Sequence, residues 1–251
     1  MLNAALVERE RRGCHLGQVK NDWSAALNLC CHWKRAGWLA ALAGTVAGCA
    51  PQATEPRTAA TVAVEPPLKS DVWMPIATTA DKSRLSRLGL AWQAALADAR
   101  PRFAAEIRKE GALLDPRAAL PRPAPTPGSY NCRLIKLGKA TAKAPAFERF
   151  QPFFCYVQVE GDLLTIVKQT GSQRPAGRLW EDDRPDRLIF LGSLALGDEQ
   201  QPLAYGDDPK RDMAGALERI GPFRWRLVIP WPQSTSKLDV FELTPVAEQP
   251  E

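Results

Sequence analysis

The sequence predicts a mainly β (α+β) domain, with N-terminal helices followed by about eight antiparallel strands. The strands form either a closed barrel or a curved open sheet. Three observations carry this reading. Apolar residues recur at helical spacing between residues 79 and 111, a proline-rich stretch then forbids helix, and from Ser129 onward the apolar period becomes two.

The helical part spans 79–111 of a single globular domain expected over 71–247. Asp81 or Thr79 is suited to cap its start. Leu85, Leu88, Trp92 and Leu96 then form one face, with Lys82, Arg84, Arg87 and Asp98 mostly on others. Pro101 is expected to end or kink this helix near Arg100, because it lacks an N–H and crowds the preceding turn. A second short helix carries Phe103 and Ile107 to a stop at Gly111. Prolines 116, 121, 123, 125 and 127 hold the next stretch extended.

The β part covers 129–244. Tyr130, Cys132 and Leu134 alternate with Asn131, Arg133 and Ile135, and Phe153, Cys155, Val157 and Val159 form one face of the next strand. Gly161-Asp162 turns into Leu163–Lys168. Strands follow over Arg178–Glu181, Arg187–Leu191, Ala216–Ile220, Phe223–Ile229 and Leu238–Leu243. In the clearest of them Phe223, Trp225, Leu227 and Ile229 point one way, and Arg224 and Arg226 the other.

Ahead of the domain, Lys34-Arg35 precede an apolar run from Ala36 to Ala47 that ends in Val46-Ala47-Gly48-Cys49. A basic start, a short apolar core and small residues before a cysteine make up an export signal. The run is shorter than the roughly 20 residues a spanning helix needs. The tetrapeptide resembles the lipobox of bacterial lipoproteins, which are cut before the cysteine and acylated on its thiol and amine, palmitate among the chains. Residues 1–48 are therefore read as leader, with Cys49 as the lipidation site and 49–70, rich in Pro, Ala and Thr, as a flexible tether. Residues 1–33 carry too many charges to fit in front of this signal, and translation from near Leu27 or Leu29 is the expectation. The body is expected to face the periplasm, and Ala50 after the cysteine favours the outer membrane.

Composition narrows the chemistry. Of 33 Lys and Arg and 28 Asp and Glu, the leader holds six and three, so the remainder carries only +2 and has no basic footprint for nucleic acid. Both histidines, His15 and His32, lie in the leader. The mature body thus lacks any Ser-His-Asp or Cys-His site and any histidine metal ligand, and no catalytic residue, metal or cofactor is assigned. Only Cys132 and Cys155 remain in the body, at inward phases of strands that look adjacent. In an oxidising compartment they are expected to form a disulfide. The alternatives are two free core thiols or a redox couple, which lacks the Cys-x-x-Cys spacing.

The run Thr170–Gly177 is polar and glycine-bearing but lacks the ending of a phosphate loop, so it is read as a connecting turn. The carboxylates Glu181, Asp182 and Asp183, with Asp207-Asp208, match no calcium loop and read as solvated loop charges.

Several stretches in order resemble a known family. They are Gly128-Ser-Tyr130-Asn-Cys132-Arg133, Lys136-Leu137-Gly138, Cys155, Thr170–Arg174 through Gly177, Arg187 with Phe190-Leu191-Gly192, Tyr205-Gly206, and Arg219-Ile220-Gly221 with Trp225-Arg226-Leu227. Together they resemble the bacterial domain of unknown function family 4893, found in exported proteins and lipoproteins. The resemblance runs from about Asp71 to Pro245 and implies no activity. Gly-x-Tyr opening the first strand and a late strand bearing Arg are also similar to calycin barrels, a likeness of fold only.

Two function classes follow. The favoured one is a non-enzymatic module that binds a small apolar ligand in a pocket among Tyr130, Arg133, Trp180 and Trp225, or an envelope protein through loops 170–177 and 205–212. The alternative is a periplasmic hydrolase using the carboxylates at 181–183 and 207–208.

Overall fold

The computed structural model describes residues 66–233 and 235–247. The leader, Cys49 and the tether as far as residue 65 lie outside the described residues.

Among the described residues three helices precede the sheet: α1 (Ser70–Trp73), α2 (Thr79–Ser86) and α3 (Leu88–Glu110), the last followed by a 3-10 turn at Gly111–Leu114. Thr78, rather than Thr79 or Asp81, caps α2, its side chain accepting from the Asp81 N–H at 3.2 Å. The helical stretch breaks first at Arg87, between α2 and α3. Pro101 then lies inside α3, which bends through non-helical angles at Phe103 instead of stopping. Gly111, at φ 56°, ends it in a conformation that other residues resist.

Nine strands follow: β1 (Gly128–Lys139), β2 (Phe147–Arg149), β3 (Phe153–Glu160), β4 (Leu163–Lys168), β5 (Gln173–Glu181), β6 (Leu188–Leu196), β7 (Asp212–Gly221), β8 (Arg224–Pro230) and β9 (Ser236–Pro245). Strands β3 to β9 pair antiparallel in sequence, and β1 pairs with both β3 and β9, closing an eight-stranded barrel. Strand β2 extends the line of β3 along the second half of β1, with Lys136 opposite Glu148. It is too short to show a period of its own, so the sequence alone does not reveal it. The expected turn at 170–177 is also corrected. From Gln173 onward it is strand, paired to β6 through Gly177 opposite Gly192. Polar composition marked it as loop, but here one strand face looks to solvent and tolerates polar side chains.

Eight strands make a barrel just wide enough for its own side chains to fill. Tyr130, Cys132, Val157, Leu179, Phe190, Leu217, Trp225, Leu227 and Leu243 fill it, all buried. The Cys132–Cys155 disulfide lies among them, its Cα atoms 6.0 Å apart. Tight curvature leaves little room where β5 meets β6. A Cβ on Gly177 or Gly192 would sit 2.7 Å from the Phe190 ring, which fills the space above both glycines.

The outer face of one side is a second core. Ala91, Trp92, Ala95, Leu96 and Ala99 of α3 pack against Ile135, Leu137, Val228, Leu238 and Val240. The alanines let helix and sheet approach closely, and a Cβ on Gly138 would sit 2.7 Å from the Ala95 backbone.

Two ion networks pin the helices to the barrel. Fully buried Arg226 pairs with Glu218 at 2.7 Å, donates to the carbonyls of Ala112, Leu113 and Asp115, and lies 4.9 Å over the Trp92 ring. At the end of α3, Glu110 pairs with Arg133 and with Arg149, and Glu242 pairs with Arg133 and Arg224.

Candidate functional site

Alternation builds the site. The inward row of β1 runs Tyr130, Cys132, Leu134, Lys136, that of β4 runs Leu164, Ile166, Lys168, and that of β9 runs Asp239, Phe241, Leu243. Each row is apolar through the barrel and carries its one charge at the same end. There the filling stops, leaving a cup of about 100 Å³ walled by Leu134, Pro175, Met213, Ile229 and Phe241. Arg84 from α2 and Lys210 and Arg211 from the β6–β7 loop complete its rim. Beneath the cup a recess of about 10 Å³ opens, beside Cys155, Ile166, Phe190 and Leu227.

The charges are unequally partnered. Lys136 Nζ lies 3.4 Å from Asp239 Oδ2, and the Ser236 hydroxyl donates to the same carboxylate. Burial still pushes the Asp239 carboxyl above the usual range. Lys168 Nζ sits 4.2 Å from the centre of the Phe153 ring and has no carboxylate partner among the described residues. Burial pushes its ammonium pKa down, and the Arg174 charge adds to this.

At the rim, Arg84 is 9% exposed and Asp212 4%. Arg84 pairs with Asp81, and the Gly206 N–H donates to Asp212 Oδ1 at 2.9 Å. Arg84 Nε and Asp212 Oδ2 have no hydrogen-bond partner among the described residues. Burial pushes the Asp212 carboxyl up, with the neighbouring Asp81 charge acting the same way.

The structure brings together only part of the expected pocket. Tyr130 and Trp225 meet edge to face, ring centroids 6.0 Å apart, but in the filled half of the barrel, where they are 1% and 4% exposed. The Tyr130 hydroxyl donates to the Thr126 carbonyl at 2.6 Å, and burial pushes its pKa up. Arg133 and Trp180 are on the outer surface. Arg133 serves the ion network at the end of α3, and Trp180 packs with Trp73 and Ile189 under α1. A period of two places them there: Arg133 lies between the inward residues Cys132 and Leu134, and Trp180 follows the inward Leu179.

The carboxylates do not converge. Glu181 pairs with Lys69, and Asp182 accepts from the Trp73 indole and from Arg187. Asp183 accepts from the N–H groups of Lys69 and Ser70 at the start of α1. Asp208 accepts from the Lys210 N–H and pairs with Arg211 in the β6–β7 loop, while Asp207 is exposed. These two groups flank opposite ends of β6, which at about 3.3 Å per residue spans roughly 30 Å. Among the described residues no group of His, Cys, Asp and Glu is placed to hold a metal ion. Sequence reasoning missed Lys136, Lys168 and Asp239, although the signal was present: each lies two residues beyond an inward apolar residue.

Fold and cup define a small closed β-barrel domain, helix-buttressed on one side and open at one end. The family model described as Domain of unknown function (DUF4893) matches residues 73–243, more than half of the chain, and the chain belongs to that family. No curated protein and no solved structure matches the chain.

Proposed function

We propose that this protein is a non-enzymatic binding module of the cell envelope, taking a small ligand in the open end of its barrel. The cup carries this reading: a barrel that is otherwise filled stops short at one end, and that end is walled by apolar side chains and rimmed by polar ones. Lipid on Cys49 holds the domain to the periplasmic face of the outer membrane, and the residues from 49 to the start of α1 act as its tether. Support comes from the export signal and from the Cys132–Cys155 disulfide, a bond that persists in oxidising compartments.

Met213 lines the cup, and Met74 in the remote segment after α1 is exposed. With the methionine methyl groups labelled with carbon-13, a set of small fragments of mixed charge and polarity should include members that shift Met213 saturably and leave Met74 in place. A set in which none moves Met213 overturns the binding reading. Cys49→Ser should abolish labelling by a radioactive fatty acid and release the protein from membranes. Unchanged labelling overturns the tether.

A further inference from the structure

The charges at the mouth point to the kind of ligand. Of the three charged residues that end the inward rows, Lys136 and Asp239 answer each other at 3.4 Å. Lys168 is left with the face of Phe153 and no carboxylate among the described residues. It borders both the cup and the apolar recess beneath, and its ammonium lies over Phe153, which lines that recess. A second donor points to the same conclusion. Arg84 borders the cup, is nine-tenths buried, and keeps an Nε–H without a partner while its other nitrogens serve Asp81 and the Trp231 carbonyl. Lys210 adds positive charge at the rim, where Arg211 is already held by Glu199 and Asp208. The two carboxylates of the cup do not cancel this. Asp239 is held by Lys136 and Ser236, and Asp212 faces Arg84 and accepts from Gly206.

An ammonium partly withdrawn from water with no counter-charge is disfavoured, and an anion arriving in the cup offsets that cost. An apolar cavity of roughly 150 Å³ accommodates benzene, so a cup somewhat smaller holds only a handful of heavy atoms. We infer that the barrel mouth binds a short-chain aliphatic carboxylate, its carboxylate on Lys168 and its alkyl end against Leu134, Ile229 and Phe241. This rests on the binding-module reading and deepens it.

The test uses the Met213 methyl signal on the whole domain, with butyrate, its neutral isostere butyramide, and inorganic phosphate as probes. Butyrate should shift Met213 saturably, and butyramide and phosphate should bind at least tenfold more weakly. Lys168→Gln should weaken butyrate at least tenfold and leave butyramide unchanged, with the Met74 signal reporting an intact fold. The comparison of probes on the unaltered protein holds even if that variant misfolds. Butyramide binding as tightly as butyrate overturns the anion inference while the binding module stands. Phosphate binding as tightly overturns the aliphatic part. Silence toward butyrate when other fragments shift Met213 overturns the inference alone, and silence toward every fragment overturns both.

Discussion

The two ends of the barrel are built from the same strands and do opposite things. At one end Tyr130 and Trp225 pack edge to face beside Leu217 and Leu243, all of them buried. At the other, the same rows finish in Lys136, Lys168 and Asp239, and a cup remains. Inward charges cannot be packed to the density of an apolar layer, since each needs a partner or water. A filled end contributes stability and an open end forgoes it, so the open end is the less stabilised of the two.

Substitutions at the two ends should differ accordingly. The largest effect is expected at the filled end. Trp225→Ala removes a buried indole from a well-packed layer and should cost about 3–5 kcal/mol, read as a lower midpoint in urea unfolding. A loss under about 1 kcal/mol would mean that this end is not the packed one.

Between the ends in magnitude lies the outer network at the close of α3. Burial raises the Glu110 carboxyl, but hydrogen bonds from Arg133 and Arg149 more than offset this and hold it below the usual range. Its folded pKa thus lies below the unfolded one. The stability it contributes is present above the unfolded value near 4.5 and is lost as pH falls through the folded value. Glu110→Gln should cost on the order of 1–2 kcal/mol at pH 7 and flatten the loss of stability on acidification. An unchanged acid limb in urea titrations at pH 3 to 7 would assign that loss to other carboxylates.

The smallest effect is expected at the mouth. Lys168→Met replaces an ammonium that burial disfavours with an apolar chain of similar length. Stability should change by less than about 1 kcal/mol, and in the favourable direction. A clear destabilisation would show that Lys168 holds the barrel together and would erase the contrast between the ends.

Much of this fold is legible in the sequence because it depends on local periodicity. Leu85, Leu88, Trp92 and Leu96 show the buried face of the helices, and Tyr130, Cys132 and Leu134 show the inward row of β1. The disulfide was legible too, since two cysteines at inward phases of adjacent strands face one interior. The site was less legible. Tyr130, Arg133, Trp180 and Trp225 were grouped by side-chain type, whereas strand phase separates them into two inside and two outside. Applied strictly, the same phase leads to Lys136, Lys168 and Asp239.

What the sequence by itself determined, then, is the order of elements, the period of each and the inward set of most strands, because these follow from side-chain alternation along a single segment. Tertiary structure alone decided closure. Whether β9 returns to β1 depends on the summed twist and curvature of eight strands and on the room Gly177 and Gly192 make for Phe190, a property of no single segment. Closure in turn decides that three charges from distant parts of the chain share one mouth, and the packing of α3 on the outer face decides that Arg226, which alternates outward on β8, is wholly buried beneath Trp92 and the turn after α3.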